Sequence, residues 1–179
     1  VINSGYQVAF MAPTEILAMQ HYEKLSSWLT NLGIRVELLI GSMGSKLKAE
    51  SYERIKKGTA NLVVGTHALI QEKVEFKFLG FYIIDEQHRF GVKQRFALRK
   101  NNESFKNFEP HQLMMSATPI PRTLAMSYFS DMDISIINEL LPGRKSVTTK
   151  LFSNERRNEI LNTINQHCLK NNQVIGFVL

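Results

Sequence analysis

Two adjacent carboxylates follow directly on a short apolar run in the middle of the chain. The run is Leu79–Ile84, and the polar residues after it are Asp85, Glu86, Gln87 and His88. Such a run is typical of a buried strand in a parallel sheet, and open α/β folds bind ligands at the carboxyl ends of their strands. One carboxylate there can hold Mg²⁺ through its waters, and a second can orient or deprotonate an attacking water. The pattern favours magnesium-nucleotide chemistry, with Asp85 as the metal acid and Glu86 as the base.

A structural interpretation of the two acids stays open, because acids also favour helix N-termini. The usual partner of a catalytic acid pair is a phosphate loop of the form G-x-x-x-x-G-K-[ST], and the sequence contains none. The nearest string, Gly41–Leu47, has neither that spacing nor the terminal Gly-Lys-Ser/Thr. It predicts a turn before a helix, so half of the expected site is missing from this chain.

Strand-like and helix-like segments alternate along the chain. This alternation predicts an α/β fold with a mostly parallel sheet and helices on both faces. The predicted strands are Tyr6–Ala12, Ile34–Ile40, Leu62–Val64, Leu79–Ile84, Gln112–Met115 and a sixth through Met132, Ile134 and Ile136. The predicted helices are one capped by Thr14 and ended by Gly33, Ser45–Lys57 ended by Gly58, Phe90–Arg99, and Pro121–Phe129, with Lys100–Pro110 as an exposed loop.

The alternation is interrupted at Leu141–Lys145, which contains a Pro-Gly pair and predicts a domain boundary. Residues 1–141 would form one domain, and residues 142–179 a linker and the beginning of another. This second part predicts a strand at Val147–Phe152, a helix capped by Ser153 or Asn154, and an apolar run at Val174–Leu179. A doubly wound nucleotide-binding domain needs an earlier strand and phosphate loop, so we expect the first domain to be truncated.

Composition narrows the classes of protein to which the chain can belong. Of 179 residues, 44% are hydrophobic and 21% are charged, as in ordinary soluble globular proteins. No apolar run approaches the roughly 20 residues that span a bilayer, and no secretory signal is visible, so we expect a cytoplasmic protein without membrane contact. The single cysteine, Cys168, excludes an intramolecular disulfide and a cysteine-based metal site. The net charge of +6 suits a polyanionic partner, although a merely basic soluble protein fits equally well.

Four strings, taken in chain order, resemble the motifs Ia, Ib, II and III of superfamily 2 helicases. They are Ala12–Ala18, Gly65–Ile70, Asp85–Val92 and Ser116–Ala125. Two further strings, Pro110-His111-Gln112-Leu113 and Leu141-Pro142-Gly143-Arg144, are similar to those of the bacterial branched-DNA helicases within that superfamily. The resemblance covers essentially the whole chain. It implies a RecA-like, P-loop NTPase-type motor domain without its Walker A end, followed by the start of the second motor domain.

The resemblance also implies roles for individual residues in the use of ATP and Mg²⁺. Asp85 and Glu86 match the Mg²⁺-binding and catalytic acids of motif II, and Gln87 and His88 match positions that link the nucleotide to motif III. Of these, Asp85, Glu86 and His88 would bind the cofactor. Ser116, Ala117 and Thr118 resemble motif III, which couples hydrolysis to DNA engagement. Ordinary hydroxyl capping of the next helix is the alternative for Ser116 and Thr118.

Motifs Ia and Ib of this superfamily contact the DNA backbone. Thr14 and Thr66 each lie where a strand gives way to a predicted helix, and helix starts present free N–H groups to phosphates. The resulting DNA-contact candidates are Pro13, Thr14, Gly41, Gly65, Thr66 and His67. Each of them alone is more often a turn residue, and backbone contacts of this kind carry no sequence specificity.

Other charged and imidazole side chains carry weaker signals. Three arginines near the motifs are expected to have structural roles: Arg89, Arg95 and Arg122. A basic cluster is expected to be a solvated helix face, with DNA attraction as the second interpretation; its members are Lys46, Lys48, Arg54, Lys56 and Lys57. Three histidines lack metal-ligand spacing and are expected to be ordinary helix or strand residues: His21, His111 and His167.

The function that the resemblance implies is that of an ATP-dependent DNA helicase or translocase that remodels forks and Holliday-type junctions in repair and recombination. Its partners would be branched or forked DNA and the rest of the helicase chain, and the full-length protein would be monomeric. The isolated chain is expected to be inactive. Three alternatives stay open: a translocase of the transcription-repair coupling type, a non-catalytic DNA-binding or interaction module, and a carboxylate-metal hydrolase built on Asp85, Glu86 and His88.

Overall fold

The computed structural model of the protein describes residues 1–91, 109–118, 132–139, 143 and 147–175. The chain divides into two compact units, Val1–Ser130 and Asp131–Leu179. The first unit carries all the candidate site residues and is built on a β-sheet. In the described part of the second unit the regular structure is helical.

The sheet of the first unit has five strands, all paired in parallel. The strands are β1 Gln7–Met11, β2 Val36–Leu39, β3 Leu62–Gly65, β4 Leu79–Ile84 and β5 His111–Met114. Their order across the sheet is β2-β3-β1-β4-β5. The first five predicted strands are thus confirmed to within two residues at each end. The predicted parallel sheet is confirmed with them.

Strand β1 lies at the centre of the sheet, and all five of its residues are buried. Successive side chains of a strand point to opposite faces. Val8 and Phe10 therefore pack on one side, and Ala9 and Met11 pack on the other. The two sets belong to separate hydrophobic clusters, so the sheet is covered on both of its faces.

A helix covers each face of the sheet, as the alternation of elements predicts. Helix α1, Glu15–Leu29, packs on the face of Phe10 through residues that include Ala18. Helix α2, Ser45–Lys57, packs on the opposite face through Ile55. Residues Val74 and Phe76, between β3 and β4, complete the core on that second side.

The helix boundaries arise from local signals in the sequence. The hydroxyl of Thr14 accepts a hydrogen bond from the N–H of Leu17 at 3.3 Å and so caps α1. After a 3₁₀ turn over Thr30–Leu32, Gly33 adopts a positive φ of 72° and ends the helical segment. Gly58 ends α2 in the same way with a φ of 74°. Glycine adopts this left-handed conformation without a steric penalty, which explains both stops.

A buried amide joins the sheet to its surroundings at the amino ends of the strands. The side-chain nitrogen of Gln7 donates to the carbonyls of Ile55 at 3.0 Å and Ala60 at 2.9 Å, and its oxygen accepts from the N–H of Phe78 at 3.1 Å. Only 3% of Gln7 is exposed. One side chain therefore connects β1, the end of α2 and the start of β4; its bonds to Ile55 and Ala60 are buried, and its bond from Phe78 is partly buried.

Two of the predicted strands are wrong. Residues 132–139, which include Ile134 and Ile136, form no strand, and neither do residues 147–152. An alternating pattern specifies two faces, but a strand also needs a neighbour to hydrogen-bond with, and no neighbouring strand is present among the described residues of the second unit. Ile136 is accordingly 72% exposed and Leu151 is 98% exposed.

The described regular structure of the second unit begins with a 3₁₀ turn, Asn154–Arg156, and continues as helix α3, Arg157–Leu169. Ser153 precedes the 3₁₀ turn as predicted, although its side chain makes no capping hydrogen bond. Within the described ranges, no helix combines the length and apolar character needed to cross a membrane.

Several predicted features lie outside the described residues. They are the helix Phe90–Arg99 beyond residue 91, most of the loop Lys100–Pro110, the helix Pro121–Phe129, most of the boundary Leu141–Lys145, and the end of the run Val174–Leu179. The division of the first unit from the second falls after Ser130. The boundary at residue 141 stays a prediction.

Candidate functional site

The carboxyl ends of all five strands meet at one edge of the sheet because every pairing is parallel. Backbone hydrogen bonds continue across this edge: Ala12 donates to the carbonyl of Gly65 at 2.8 Å, and Asp85 donates to that of Met11 at 2.9 Å. Met115 donates in turn to Ile84 at 2.8 Å. The residues that follow the strands are therefore held in one hydrogen-bonded row. This row brings together the strings quoted from motifs Ia, Ib, II and III.

Both carboxylate oxygens of Asp85 are engaged. Its Oδ2 lies 2.9 Å from Nε2 of His21 on α1, and its Oδ1 accepts a hydrogen bond from the N–H of Glu86 at 2.9 Å. Each carboxylate oxygen has two lone-pair sites, so further ligands can still bind. Asp85 is therefore a carboxylate of fixed orientation at the edge of the sheet, with 21% of its side chain exposed.

Glu86 has an unusual backbone for a residue with a side chain. Its φ of 49° and ψ of 50° lie in the left-handed region. Such a conformation costs on the order of 1 kcal/mol or more in a non-glycine residue and is frequent at functional sites. Its Oε2 atom is buried and has no hydrogen-bond partner within the described residues. Nδ1 of His88 lies 3.4 Å from this atom, within ion-pair distance but without a hydrogen bond, so Oε2 keeps hydrogen-bonding capacity that the described residues do not fill.

Hydrogen bonds connect the acidic string to the residues after β5. The N–H of Gln87 donates to the carbonyl of Met115 at 3.0 Å, and Nδ1 of His88 lies 3.3 Å from the hydroxyl of Ser116. The hydroxyl of Ser116 also lies 2.9 Å from that of Thr118 and accepts from the N–H of Thr118 at 3.3 Å. The structure thus brings Gln87, His88, Ser116 and Thr118 together, and it also includes the hydroxyl-to-backbone bond of the capping interpretation.

The side chain of Gln87 is buried against this connection. Only 8% of the residue is exposed, and its Oε1 atom is without a partner in the described part of the chain. A buried polar atom usually has a partner. Oε2 of Glu86 likewise accepts no hydrogen bond from the described residues, so the acidic string contains two buried acceptor atoms that could bind a donor or a cation.

His21 is the residue at this site that reasoning from the sequence missed. The sequence predicts an ordinary helical histidine, because no metal-ligand spacing surrounds it, yet its ring contacts Asp85 across 64 residues of sequence. The position of His21 contained a signal. It follows the apolar Ala18 by three residues and therefore shares the sheet-facing side of α1, above the strand next to β4.

The six DNA-contact candidates lie along the same edge but differ in exposure. Thr14, Gly41 and His67 are exposed, and Pro13 is half-buried. Gly65 and Thr66 are buried, and the hydroxyl of Thr66 lacks a hydrogen-bond partner among the described residues. The accessible part of the candidate surface therefore consists of the residues after β1, the turn after β2, and His67.

A close backbone approach explains the glycine at position 65. A Cβ there would lie 2.1 Å from the carbonyl oxygen of Leu39 on the neighbouring strand. No rotation of a side chain relieves such a clash, since the contacting atom belongs to the backbone. Gly65 thus sets the spacing of β2 and β3 at the edge where the turn Gly41–Gly44 begins.

Two side chains hold that turn in place. Glu15 Oε1 accepts a hydrogen bond from the N–H of Ser42 at 2.9 Å, and the ammonium of Lys48 donates to the carbonyl of Gly41. The hydrogen bonds from Ser42 lower the pKa of Glu15 below its ordinary value, with a smaller contribution from Gly41 and the charge of His67. Glu15 therefore carries its charge at neutral pH. Sequence reasoning did not identify this contact either, because it spans 27 residues.

The residues at the edge suit a sparse magnesium site rather than an all-protein cage. Among the described residues, no group of three or more His, Cys, Asp or Glu could hold a metal ion. Mg²⁺, however, is usually bound by one or two carboxylates, with waters and phosphate oxygens as its other ligands. The fixed carboxylate of Asp85 and the buried Oε2 of Glu86, which accepts no hydrogen bond from the described residues, fit that requirement.

Comparisons with known proteins place the chain among helicases. Residues 1–127 match the family described as DEAD/DEAH box helicase. The chain is 55% identical over 174 residues to the ATP-dependent DNA helicase RecG of Aquifex aeolicus strain VF5, covering 97% of this chain and 22% of that protein. It is 48% identical over 168 residues to the protein of the same name from Escherichia coli strain K12, covering 94% and 24%. The chain thus spans about a quarter or less of the length of these relatives.

Solved structures agree with the sequence relatives. A structure described as RecG bound to a three-way DNA junction matches with a TM-score of 0.73 and 41% identity, over 93% of this chain and 21% of that chain. The Mycobacterium smegmatis helicase Lhr, solved with single-stranded DNA and AMP-PNP, matches with a TM-score of 0.54 and 15% identity, over 64% of this chain and 15% of that chain. The second match supports the fold alone. Because the family model covers well over half of its residues, the chain belongs to the DEAD/DEAH box helicase family.

Proposed function

We propose that this chain is part of an ATP-dependent DNA helicase that remodels forked and branched DNA in repair and recombination. In this proposal residues 1–141 are the first motor domain without its phosphate loop, and residues 142–179 lead into the second. The observation that carries the proposal is the hydrogen-bonded row of strand ends, which joins Asp85 and Glu86, directly after β4, to the candidate DNA contacts beside them.

The proposed roles at the nucleotide follow from the state of each carboxylate. Asp85, which is held at both oxygens, would bind Mg²⁺ in a fixed position, directly or through water. Bound Mg²⁺ supplies charge neutralisation for the phosphate oxygens. Glu86, whose buried Oε2 accepts no hydrogen bond from the described residues, would orient or deprotonate the attacking water.

The proposed coupling of hydrolysis to DNA engagement uses the residues after β5. His88 and Ser116 lie within hydrogen-bond distance of each other, and the backbone of Gln87 is bonded to Met115. Because these bonds are direct, a change in the contacts of the acidic string would change the positions of Ser116 and Thr118. This connection supports a motif III role for both hydroxyl residues in addition to local capping.

The proposed DNA surface consists of the exposed and half-buried residues of the same edge. Pro13, Thr14, Gly41 and His67 would contact backbone phosphates, with Gly65 and Thr66 shaping the edge from within. The net charge of +6 supports a polyanionic partner, and a relative of known structure is described as bound to a three-way DNA junction. The proposal extends to a monomeric, cytoplasmic enzyme, for which the family resemblance and the sequence are the support.

The decisive experiment compares Glu86→Gln with Glu72→Gln in the full-length protein that contains this chain. Glu72 is an exposed acid outside the edge and serves as the matched control. Removing the general base is expected to lower forked-DNA-stimulated ATP hydrolysis at least about a hundredfold, whereas the control keeps it. Retention of the stimulated activity by Glu86→Gln would refute the assignment of the base.

The isolated chain provides a second test. Its sequence contains no phosphate loop, so we expect no appreciable DNA-stimulated ATP turnover from these 179 residues alone. Turnover by the isolated chain that Glu86→Gln abolishes would show that the chain builds a complete nucleotide site by other means.

A further inference from the structure

We propose that His21 is a positioning residue that fixes the carboxylate of Asp85 and thereby links the DNA-contacting end of α1 to the magnesium site. This inference rests on the function proposed above. It adds a residue outside the quoted helicase strings and a physical route between the two halves of the site.

The ring of His21 is held on two sides. Its Nε2 lies 2.9 Å from Oδ2 of Asp85, and its centroid lies 4.5 Å from that of Phe10 on β1, with the planes inclined at 43°. An ionised carboxylate only accepts hydrogen bonds, so this contact requires the proton on Nε2. Packing against Phe10 fixes the position of the imidazole ring, and the hydrogen bond from that ring fixes the position of Oδ2 of Asp85.

A hydrogen bond to the second oxygen of Asp85 completes the constraint on the orientation of this side chain. Oδ1 accepts from the N–H of Glu86, the residue in the left-handed conformation. Without His21, only one oxygen would be held by the described residues, and the carboxylate could rotate about its terminal bond. A ligand for a cation with strict octahedral geometry benefits from the second constraint, as outer partners of metal ligands generally do.

Helix α1 gives this contact a connection to the DNA surface. The capping residue Thr14 is a DNA-contact candidate, and His21 follows it by seven residues, about 10 Å along a helix axis. The intervening segment is regular helix anchored by Ala18, which is fully buried. The helix start and the imidazole belong to the same regular helix, so a displacement of the helix start on DNA would move the imidazole as well.

The tolerance of the contact is small. A hydrogen bond of 2.9 Å is effectively lost once the separation passes about 3.5 Å, so a relative shift of roughly 0.6 Å between α1 and β4 would release the carboxylate. DNA contacts that hold α1 in the observed position would in this way keep Asp85 oriented for Mg²⁺.

The test uses three variants of the full-length protein that contains this chain. His21→Phe keeps an aromatic ring against Phe10 and removes the hydrogen-bond donor, whereas His21→Gln retains a side-chain N–H. His111→Phe is the control, since His111 is an exposed histidine at the amino end of β5, at the opposite edge of the sheet. Mn²⁺ serves as the probe for Mg²⁺, and its binding with ADP present is measured by electron paramagnetic resonance. DNA affinity and fork-stimulated ATP hydrolysis are measured in parallel.

The expected result is that His21→Phe weakens Mn²⁺ binding about tenfold, as loss of an outer partner of a metal ligand typically does. It should also reduce the fold-stimulation by forked DNA while leaving DNA affinity unchanged. His21→Gln should restore most of both quantities, and the control should match the parent protein.

Two outcomes would overturn the inference alone, given a parent protein that is stimulated by forked DNA. In the first, His21→Phe binds Mn²⁺ and responds to DNA as the parent does. In the second, His21→Gln loses as much as His21→Phe, so the hydrogen bond is not what matters. A parent protein that neither binds Mn²⁺ nor responds to DNA would instead refute the proposed function, and the inference with it.

Discussion

Replacing Gln7 with leucine measures how much one buried amide contributes to the stability of the sheet. The side chain makes three hydrogen bonds, to Ile55, Ala60 and Phe78, and is 3% exposed. Each such bond contributes about 1 kcal/mol net, so their loss corresponds to about 3 kcal/mol. The greater hydrophobicity of leucine returns part of this amount. We expect the free energy of unfolding to fall by about 2 kcal/mol.

The assay is urea denaturation of the 179-residue chain, followed by far-ultraviolet circular dichroism. The control is Gln20→Leu, since Gln20 is an exposed glutamine on α1 and its replacement should change stability by less than about 0.5 kcal/mol. If both variants have the same midpoint as the parent chain, the three bonds contribute nothing net, and the role given to Gln7 is refuted. A midpoint shift confined to Gln7→Leu supports it.

Two further predictions concern the candidate DNA edge. Gly65→Ala should lower the urea midpoint, because the added Cβ would clash with the carbonyl oxygen of Leu39. In the control, Gly44→Ala, the added Cβ would meet no atom within 4 Å, and equal midpoints for the two variants would contradict the prediction. The pKa of Glu15 is lowered by the hydrogen bonds from Ser42, so its stabilisation of the turn is present above the unfolded value of about 4.5 and is lost as the pH falls through the lower folded pKa. The amide resonance of Ser42, followed by nuclear magnetic resonance, should therefore shift only below pH 4.5, and a shift centred near neutral pH would refute the assignment.

The features that the sequence predicts well depend on neighbouring residues. Thr14 caps α1 with its own hydroxyl, and Gly33 and Gly58 end helical segments through their own backbone conformations. The apolar run before Asp85 specifies a buried strand whose carboxyl end carries the acids. The parallel direction of the strands is also predictable, because strands and helices alternate along the chain.

The features that the sequence does not predict depend on distant partners. The contact of His21 with Asp85 requires knowing that α1 crosses β1 and that β4 is the next strand. The hold of Glu15 on Ser42 requires knowing that β2 ends beside the start of α1. The incorrect strand through Ile134 and Ile136 has the same cause, because alternation describes the faces of a strand and says nothing about its neighbour.

The hydrogen-bonded row at the carboxyl edge also limits where homologous chains can gain or lose residues. One extra residue inside β1, β3 or β4 would advance its last residue by about 3.3 Å and turn its side chains to the opposite face. The bonds from Ala12 to Gly65 and from Asp85 to Met11 could not both survive that change. We therefore expect homologous chains to tolerate insertions in the connection between β3 and β4, while keeping the number of residues in these three strands constant.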